Sequence, residues 1–285
     1  MERIKIAVQK SGRLLDGSLE ILKECGIKVP KAQGQLKASV DNFPLDLLFL
    51  RNSDIPQYVE DGVADIAIIG ENILIEQEPK VRTEMELGFS KCKVSLAAPK
   101  NSDIQSVMDF EGKKIATSYP VTLKKYLVEQ NIDAEIHTIS GSVEIAPTIG
   151  LADGICDIVS TGNTLFMNGL REVEVMLRSQ AVLISNSNLS DDKRAVLDKL
   201  IFRIQSVLSA KNSKYVLLNA PESQLDEITD ILPGIKSPTV IPLAQKGWIS
   251  IHSVINEDKF WENIDALKDA GAEGILIVPI EKMVK

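Results

Sequence analysis

The sequence predicts an α/β fold, with two similar lobes facing each other across a cleft and a smaller βαββαβ domain after them. Three observations carry this. Apolar, strand-like runs end in polar loops that open helix-like stretches, which is the rhythm of a parallel α/β sheet. The segments Asp61–Gly70 (DGVADIAIIG) and Asp153–Gly162 (DGICDIVSTG) align without a gap, matching both aspartates, both glycines and the apolar positions between. Beyond residue 210 the pattern reads strand, helix, strand, strand, helix, strand, the order of a ferredoxin-like split βαβ.

Arg3–Val8 alternates into a strand, and the polar loop Gln9–Arg13 follows. Leu15, Leu19, Ile21, Leu22 and Cys25 give Leu14–Cys25 a helical face that stops at Gly26. Leu45–Leu50 is a second strand ending at Arg51–Asp54. Ile55–Gly62 is a short helix with Pro56 in its first turn, and Asp65–Gly70 is a third strand ending at Glu71 and Asn72. Ligands of such sheets bind beyond the carboxyl ends of the strands. Lys10, Gly12, Arg13, Arg51, Gly70, Glu71 and Asn72 therefore share one rim.

The second lobe begins near Lys91. Strands are expected at Lys93–Ala98, Lys114–Thr117 and Glu135–Ile139, and helices at Ser102–Phe110, Leu123–Gln130 and from Ser140–Glu144 to about Leu151. Val173–Ile184 is expected to be one strand returning to the first lobe. Asp191–Leu208 is a helix with Val196, Leu197, Leu200, Ile201, Ile204, Val207 and Leu208 on one face. The expected division is 1–90 with 183–210, 91–182, and 211–285.

Composition narrows the function. Net charge is −8 with a pI near 5.0, which argues against a nucleic-acid-binding surface. Cys25, Cys92 and Cys156 are odd in number and widely spaced, as reduced thiols of a cytosolic protein are. The N-terminus lacks a signal-peptide pattern and no run is long enough to span a membrane, so a cytoplasmic, membrane-free protein is expected.

The central stretch is Asp153–Leu165. An apolar strand, Ile155–Val159, opens into Ser160-Thr-Gly-Asn-Thr164 ahead of a helix-like segment, a local structure suited to phosphate. Ser160, Thr161 and Thr164 add hydroxyl donors. Neither the lysine of a P-loop nor the glycines of a dinucleotide fingerprint is present. Opposite this loop stand Lys10, Arg13 and Arg51. His137 lies in an apolar strand and His252 in the last domain, so neither reads as a catalytic base, and no Ser-His-Asp set or His/Cys cluster is seen. The residues fit group transfer between phosphorylated substrates, where positioning and charge stabilisation supply most of the catalysis. Glu71, Glu144 and Asp157 suit ribose hydroxyls or a water-ligated Mg²⁺. A two-lobed solute sensor and a non-catalytic regulatory paralogue are the competing readings.

Taken in order, Gln9–Leu14 (QKSGRL), Asp54–Pro56, Asp61–Asp65 with Ile69–Asn72, Ala116–Pro120 (ATSYP), Asp157–Leu165 and Asn168–Glu174 resemble the ATP phosphoribosyltransferase family. The resemblance continues through Leu232–Gly234, Ser237–Thr239 and Pro279–Lys282 and fits the family's long form. It implies a periplasmic-binding-protein-like (type II) pair of lobes and an ACT-like last domain. It also implies a reaction that joins N1 of ATP to C1 of phosphoribosyl pyrophosphate, with Mg²⁺ required. On this resemblance Ser160, Thr161, Gly162, Asn163 and Thr164 hold the 5′-phosphate, and Asp157 a ribose hydroxyl. Lys10, Arg13 and Arg51 neutralise pyrophosphate. ATP lies near Gly12, Gly70, Glu71 and Thr117-Ser118-Tyr119, and Mg²⁺ arrives on substrate phosphates with no protein ligand named. Histidine is expected to inhibit through Asn219, Ile235, Thr239 and Gly274. The implied assembly is a dimer and hexamer needing no separate regulatory subunit.

Overall fold

The structure, a computed structural model, describes residues 2–30, 36–160, 162–232 and 234–284. The chain divides into two compact units, residues 1–23 with 27–197 and residues 24–26 with 198–285.

The first elements in the chain are β1 (Ile4–Gln9), α1 (Arg13–Glu24), β2 (Lys37–Ser39), β3 (Leu45–Leu50), α2 (Ile55–Glu60), β4 (Ile66–Gly70), α3 (Glu71–Gln77) and β5 (Val81–Glu86). Next come β6 (Cys92–Pro99), β7 (Lys114–Thr117), α4 (Pro120–Gln130), β8 (Glu135–Thr138), β9 (Gly154–Val159), α5 (Asn163–Met167), β10 (Leu170–Ser179), β11 (Ala181–Asn186) and α6 (Asp191–Lys211). The last group is β12 (Ser213–Pro221), α7 (Leu225–Ile231), β13 (Thr239–Pro242), β14 (Trp248–Asn256), α8 (Glu257–Asp269) and β15 (Glu273–Pro279).

The first sheet has the order β2-β3-β1-β4-β11-β5, and the second β10-β6-β9-β7-β8. Each holds the same nucleus. In the first, β3, β1 and β4 run parallel with β11 antiparallel at the side of β4. In the second, β8, β7 and β9 run parallel with β6 antiparallel at the side of β9. The strand burial explains the apolar runs. Ile66–Ile69 and Ile155–Cys156 are buried on both sheet faces, as parallel strands covered by helices must be.

The repeat is real, but the gapless alignment is out of register with it. The Asp65 N–H donates to Lys5 O at 2.9 Å, and its carboxylate accepts the Lys5 N–H at 2.7 Å. The same clasp recurs between Asp153 and Lys114, at 2.8 Å in both directions. Asp65 therefore corresponds to Asp153, not to Asp157. The two Asp-Gly pairs do different work. Gly62 takes φ +72° in the turn after α2, whereas Gly154 already lies in β9, where an added Cβ would stand 2.5 Å from the Phe110 ring.

Three expected elements differ. Ser102–Phe110 forms only a short 3₁₀ turn, Val107–Phe110, because the Asp109 carboxylate accepts the Gln105 and Ser106 N–H groups and the Ser106 hydroxyl. The segment after Ser140 is helical only over Val143–Ile145 (3₁₀), and Pro147 and Gly150 follow within the expected span. Val173–Ile184 is two strands: β10 pairs with β6, and after Gln180 the chain re-enters the first sheet as β11.

In the other unit β13-β14-β12-β15 form an antiparallel sheet. In the domain's own strand count that order is 2-3-1-4, the ferredoxin-like topology expected from the sequence. Val216, Leu218, Ile251 and Ile228 share one core cluster with Phe260 and Leu267 of α8.

Candidate active site

Because the parallel strands of each nucleus end at one edge, their following loops gather there. β1 leads through Lys10–Gly12 into α1, and β9 leads through Ser160 into α5. Arg13, the first residue of α1, donates from Nη2 to the Ser160 hydroxyl at 2.7 Å. A guanidinium of the first lobe thus meets the start of the Ser160–Thr164 loop of the second.

Arg13 and Ser160 line a cavity of ≈ 380 Å³, together with Asn52, Asn72, Lys91 and Tyr119. Its wall is cationic and rich in amide and hydroxyl groups. The Asn52 Oδ1 is buried there and has no hydrogen-bond partner among the described residues. Asn72 is buried and tied on every side. Its N–H donates to Ser179 Oγ, the Ser179 hydroxyl donates to its Oδ1, and its Nδ2 donates to Tyr119 Oη, each at 3.0 Å. Burial and then the Asp157 charge push the Tyr119 phenol up, so it stays a neutral donor at neutral pH. Cys92 also lines the cavity, and burial raises its thiol against the opposing effects of Ser179 and Arg13.

Lys10 and Arg51 are exposed and lie outside the cavity lining; the Lys10 N–H donates to Leu50 O at 2.8 Å, which keeps the β1 and β3 loops side by side. Gly70 and Tyr119 line the cavity, while Gly12 is exposed beside Gln9 with φ +86°. Thr117 is fully buried. Its hydroxyl donates to Cys156 O at 2.7 Å and accepts the Tyr119 N–H at 2.8 Å, so it shapes the loop from behind. Ser118 is half-buried and donates to Ile139 O at 2.8 Å. Glu71 faces a neighbouring cavity of ≈ 390 Å³ with Glu86, Lys91 and Arg178, and burial followed by the Glu86 charge raises its carboxyl.

Asp157 sits on β9 outside the cavity lining. Burial pushes its carboxyl up to about 6; the Ile158 N–H opposes this and the Glu144 charge adds to it. Gly162 takes φ +78°, and Asn163 and Thr164 are exposed at the start of α5. Thr161 lies outside the described residues. In the last domain Asn219 and Gly274 are brought together, since a Cβ on Gly274 would stand 3.5 Å from Asn219 Nδ2. Thr239 is separated from β12 by β14, where it pairs with His252, and Ile235 is exposed on the loop before β13. Among the described residues no group of three or more His, Cys, Asp or Glu is placed to hold a metal ion, and none of the helices is long and apolar enough to cross a membrane.

Lys91 and Cys92 escaped the sequence reading because they belong to the crossover between the lobes and follow no strand of a parallel nucleus. Asn52 sat in the loop already named, one residue past Arg51, but an amide carries no motif.

Comparisons with known proteins supply the family. The family model described as HisG: ATP phosphoribosyltransferase matches residues 51–206, and the HisG C-terminal domain matches 210–282. The chain is 55% identical to the ATP phosphoribosyltransferase of Cytophaga hutchinsonii and 52% identical to that of Bacteroides thetaiotaomicron, each alignment covering 99% of both chains. Among solved structures it resembles an ATP phosphoribosyl transferase (HisG:HisZ) complex from Thermotoga maritima, with TM-score 0.61, 28% identity, and coverage of 71% of this chain and 96% of that one. A family model over more than half of the chain, and whole-length relatives at this identity, leave one conclusion. The chain belongs to the ATP phosphoribosyltransferase family, the enzymes of the first step of histidine biosynthesis.

Proposed function

We propose that phosphoribosyl pyrophosphate lies between Arg13 and the Ser160–Thr164 loop, with ATP beside it on the Tyr119 side of the same cleft. The observation that carries this is the Arg13–Ser160 contact at 2.7 Å. A guanidinium and a hydroxyl donor converging from opposite lobes form a site for an anion, and guanidinium forks pair bidentately with phosphate oxygens.

Ser160, Thr161, Gly162, Asn163 and Thr164 hold the 5′-phosphate, and Asp157 accepts from a ribose hydroxyl. Arg13 neutralises the departing pyrophosphate, with Lys10 and Arg51 on the rim adding charge. Gly12, Gly70, Glu71, Ser118 and Tyr119 border ATP, with Thr117 shaping their loop. The N1 lone pair of adenine forms the new bond to C1 as the C1–O bond breaks, and pyrophosphate leaves with that electron pair. Since the nucleophile is a neutral ring nitrogen, no strong protein base is called for. What remains is to hold both substrates in line and to stabilise developing negative charge. Mg²⁺ enters on substrate phosphates; a cationic wall suits a phosphate-borne ion better than a protein-ligated one.

Histidine inhibits through the last domain near Asn219 and Gly274, with Ile235 and Thr239 at the border of that site. The enzyme works in the cytoplasm as a dimer and hexamer and needs no separate regulatory subunit, since it carries its own C-terminal domain. The functional division follows 1–90 with 183–210, 91–182 and 211–285.

The test is equilibrium titration of Arg13→Ala. Phosphoribosyl pyrophosphate affinity is expected to fall by about 10–100-fold, the worth of a charge-assisted pair, with ATP affinity little changed. Unchanged phosphoribosyl pyrophosphate affinity would remove Arg13 from the site.

A further inference from the structure

Helix α4 opens on Pro120, which suits a first helical position, but it has no capping side chain of its own. Its N-cap is Tyr119, with φ −124° and ψ 58°, and the tyrosine makes no side-chain cap to the helix. Tyrosine has no short oxygen to offer the first free N–H groups, and those groups cost free energy if left unpaired. Instead its ring lines the active-site cavity and its hydroxyl is held by Asn72.

The cap comes from the other lobe. Glu76 of α3 accepts the Val121 N–H on Oε1 at 2.9 Å. Its Oε2 accepts the Thr122 N–H at 2.9 Å and the Thr122 hydroxyl at 2.8 Å. Both carboxylate oxygens are thus spent on the first turn of α4, at the positive end of its dipole. Asn72 and Glu76 are four residues apart on α3 and so share one face. That face holds the Tyr119 hydroxyl at one end and the start of α4 at the other, while Ile73 between them packs against core residues of both lobes. Glu78 pairs with Lys125 one turn further along α4.

We infer that Glu76 is a positioning residue for the reaction: it caps α4 across the lobes and thereby fixes the Ser118–Tyr119 turn against the cavity. A capping serine or aspartate at position 119 would complete the helix within its own lobe, but would leave no side chain able to reach both the cavity and Asn72. With the cap supplied from α3, residue 119 is free to serve the site. The first turn of α4 is then complete only while the α3 side of the cleft stays closed.

The consequence for catalysis rests on the proposed placement of ATP beside Tyr119, so two readouts are needed. The first is hydrogen exchange of the full-length enzyme over the peptide carrying Val121 and Thr122. The second is the pair of KM values for ATP and phosphoribosyl pyrophosphate. Glu76→Gln keeps the shape and removes the charge. It is expected to speed exchange at those amides by about 10-fold and to raise the KM for ATP by about 3–10-fold, with the KM for phosphoribosyl pyrophosphate within twofold of wild type. Thr122→Val, which deletes only the hydroxyl contact, should show the same pattern at smaller size and serves if Glu76→Gln folds poorly. Lys125→Ala should move neither readout. Exchange unchanged in Glu76→Gln, or faster exchange with both KM values unmoved, would overturn the inference. Faster exchange with a raised KM for phosphoribosyl pyrophosphate alone would keep Glu76 as the positioning residue and overturn the placement of ATP.

Discussion

The Arg13 guanidinium stands 2.7 Å from the Ser160 hydroxyl, joining the first residue of α1 to the loop that ends β9. With no protein carboxylate in this contact, both groups keep donor capacity for a phosphate oxygen. Ser160→Ala should raise the KM for phosphoribosyl pyrophosphate by about 3–10-fold with a smaller change in the KM for ATP, the worth of one hydroxyl bond to an anion. Steady-state kinetics with each substrate varied in turn reads this directly.

Asp157 carries a pH signature. Burial raises its carboxyl to about 6, so it loses its charge as pH falls through that value. If the carboxylate must accept from a ribose hydroxyl, kcat/KM for phosphoribosyl pyrophosphate should fall about tenfold per pH unit below about 6, and Asp157→Asn should abolish that limb while lowering activity at all pH values. Stability responds with the opposite sense. A raised carboxyl pKa penalises the folded state above about 6, and the penalty fades toward the unfolded value near 4. Asp157→Asn should therefore raise the melting temperature at pH 8 and gain little at pH 4, as thermal denaturation across pH would register.

Glu84 behaves the other way. Burial alone would raise its carboxyl, but hydrogen bonds from Arg194 at 2.6 and 3.0 Å and from Ser185 at 2.6 Å outweigh it, and the net shift is downward. Its stabilisation is complete above the unfolded glutamate value near 4.5 and is lost as pH falls through the depressed folded value. Glu84→Gln should cost about 1–3 kcal/mol at pH 7. The deficit should shrink toward acid as the wild type loses the same pair; urea unfolding at pH 7 and pH 3 provides the comparison.

In the last domain Asn219 faces Gly274 across neighbouring strands. An amide there holds an ammonium group less well than a carboxylate does. Asn219→Asp should tighten inhibition by histidine several-fold without altering uninhibited turnover, as an inhibition curve at fixed substrate would report. Weaker inhibition, or none in either form, would take the histidine site away from this pair.

The legible parts of the fold were those set by local period. The 3.6-residue face of Leu14–Cys25, the apolar run Leu45–Leu50 and the βαββαβ order after residue 210 all stand close to their expected limits. Turn-rich segments were not legible, because at Asp109 local side-chain bonds decide what propensity suggests. The Asp61/Asp153 repeat shows the same limit at longer range. Identical dipeptides served different geometry, and the Lys5 and Lys114 clasps, with the strand pairing beside them, reveal the true register. At the site, Arg13 and Ser160 were readable as charge and hydroxyl at strand ends. The Asn72–Ser179–Tyr119 network and the Glu76 cap were not, since each joins polar residues far apart in the chain that carry no pattern of their own.

The location of phosphoribosyl pyrophosphate would be read directly from a crystal structure of the enzyme with that substrate and Mg²⁺. The 5′-phosphate is predicted within hydrogen-bond distance of Ser160 Oγ and backbone N–H groups of the 160–164 loop, with the pyrophosphate against Arg13. A 5′-phosphate bound at the first-lobe rim, with the 160–164 loop empty, would contradict the account.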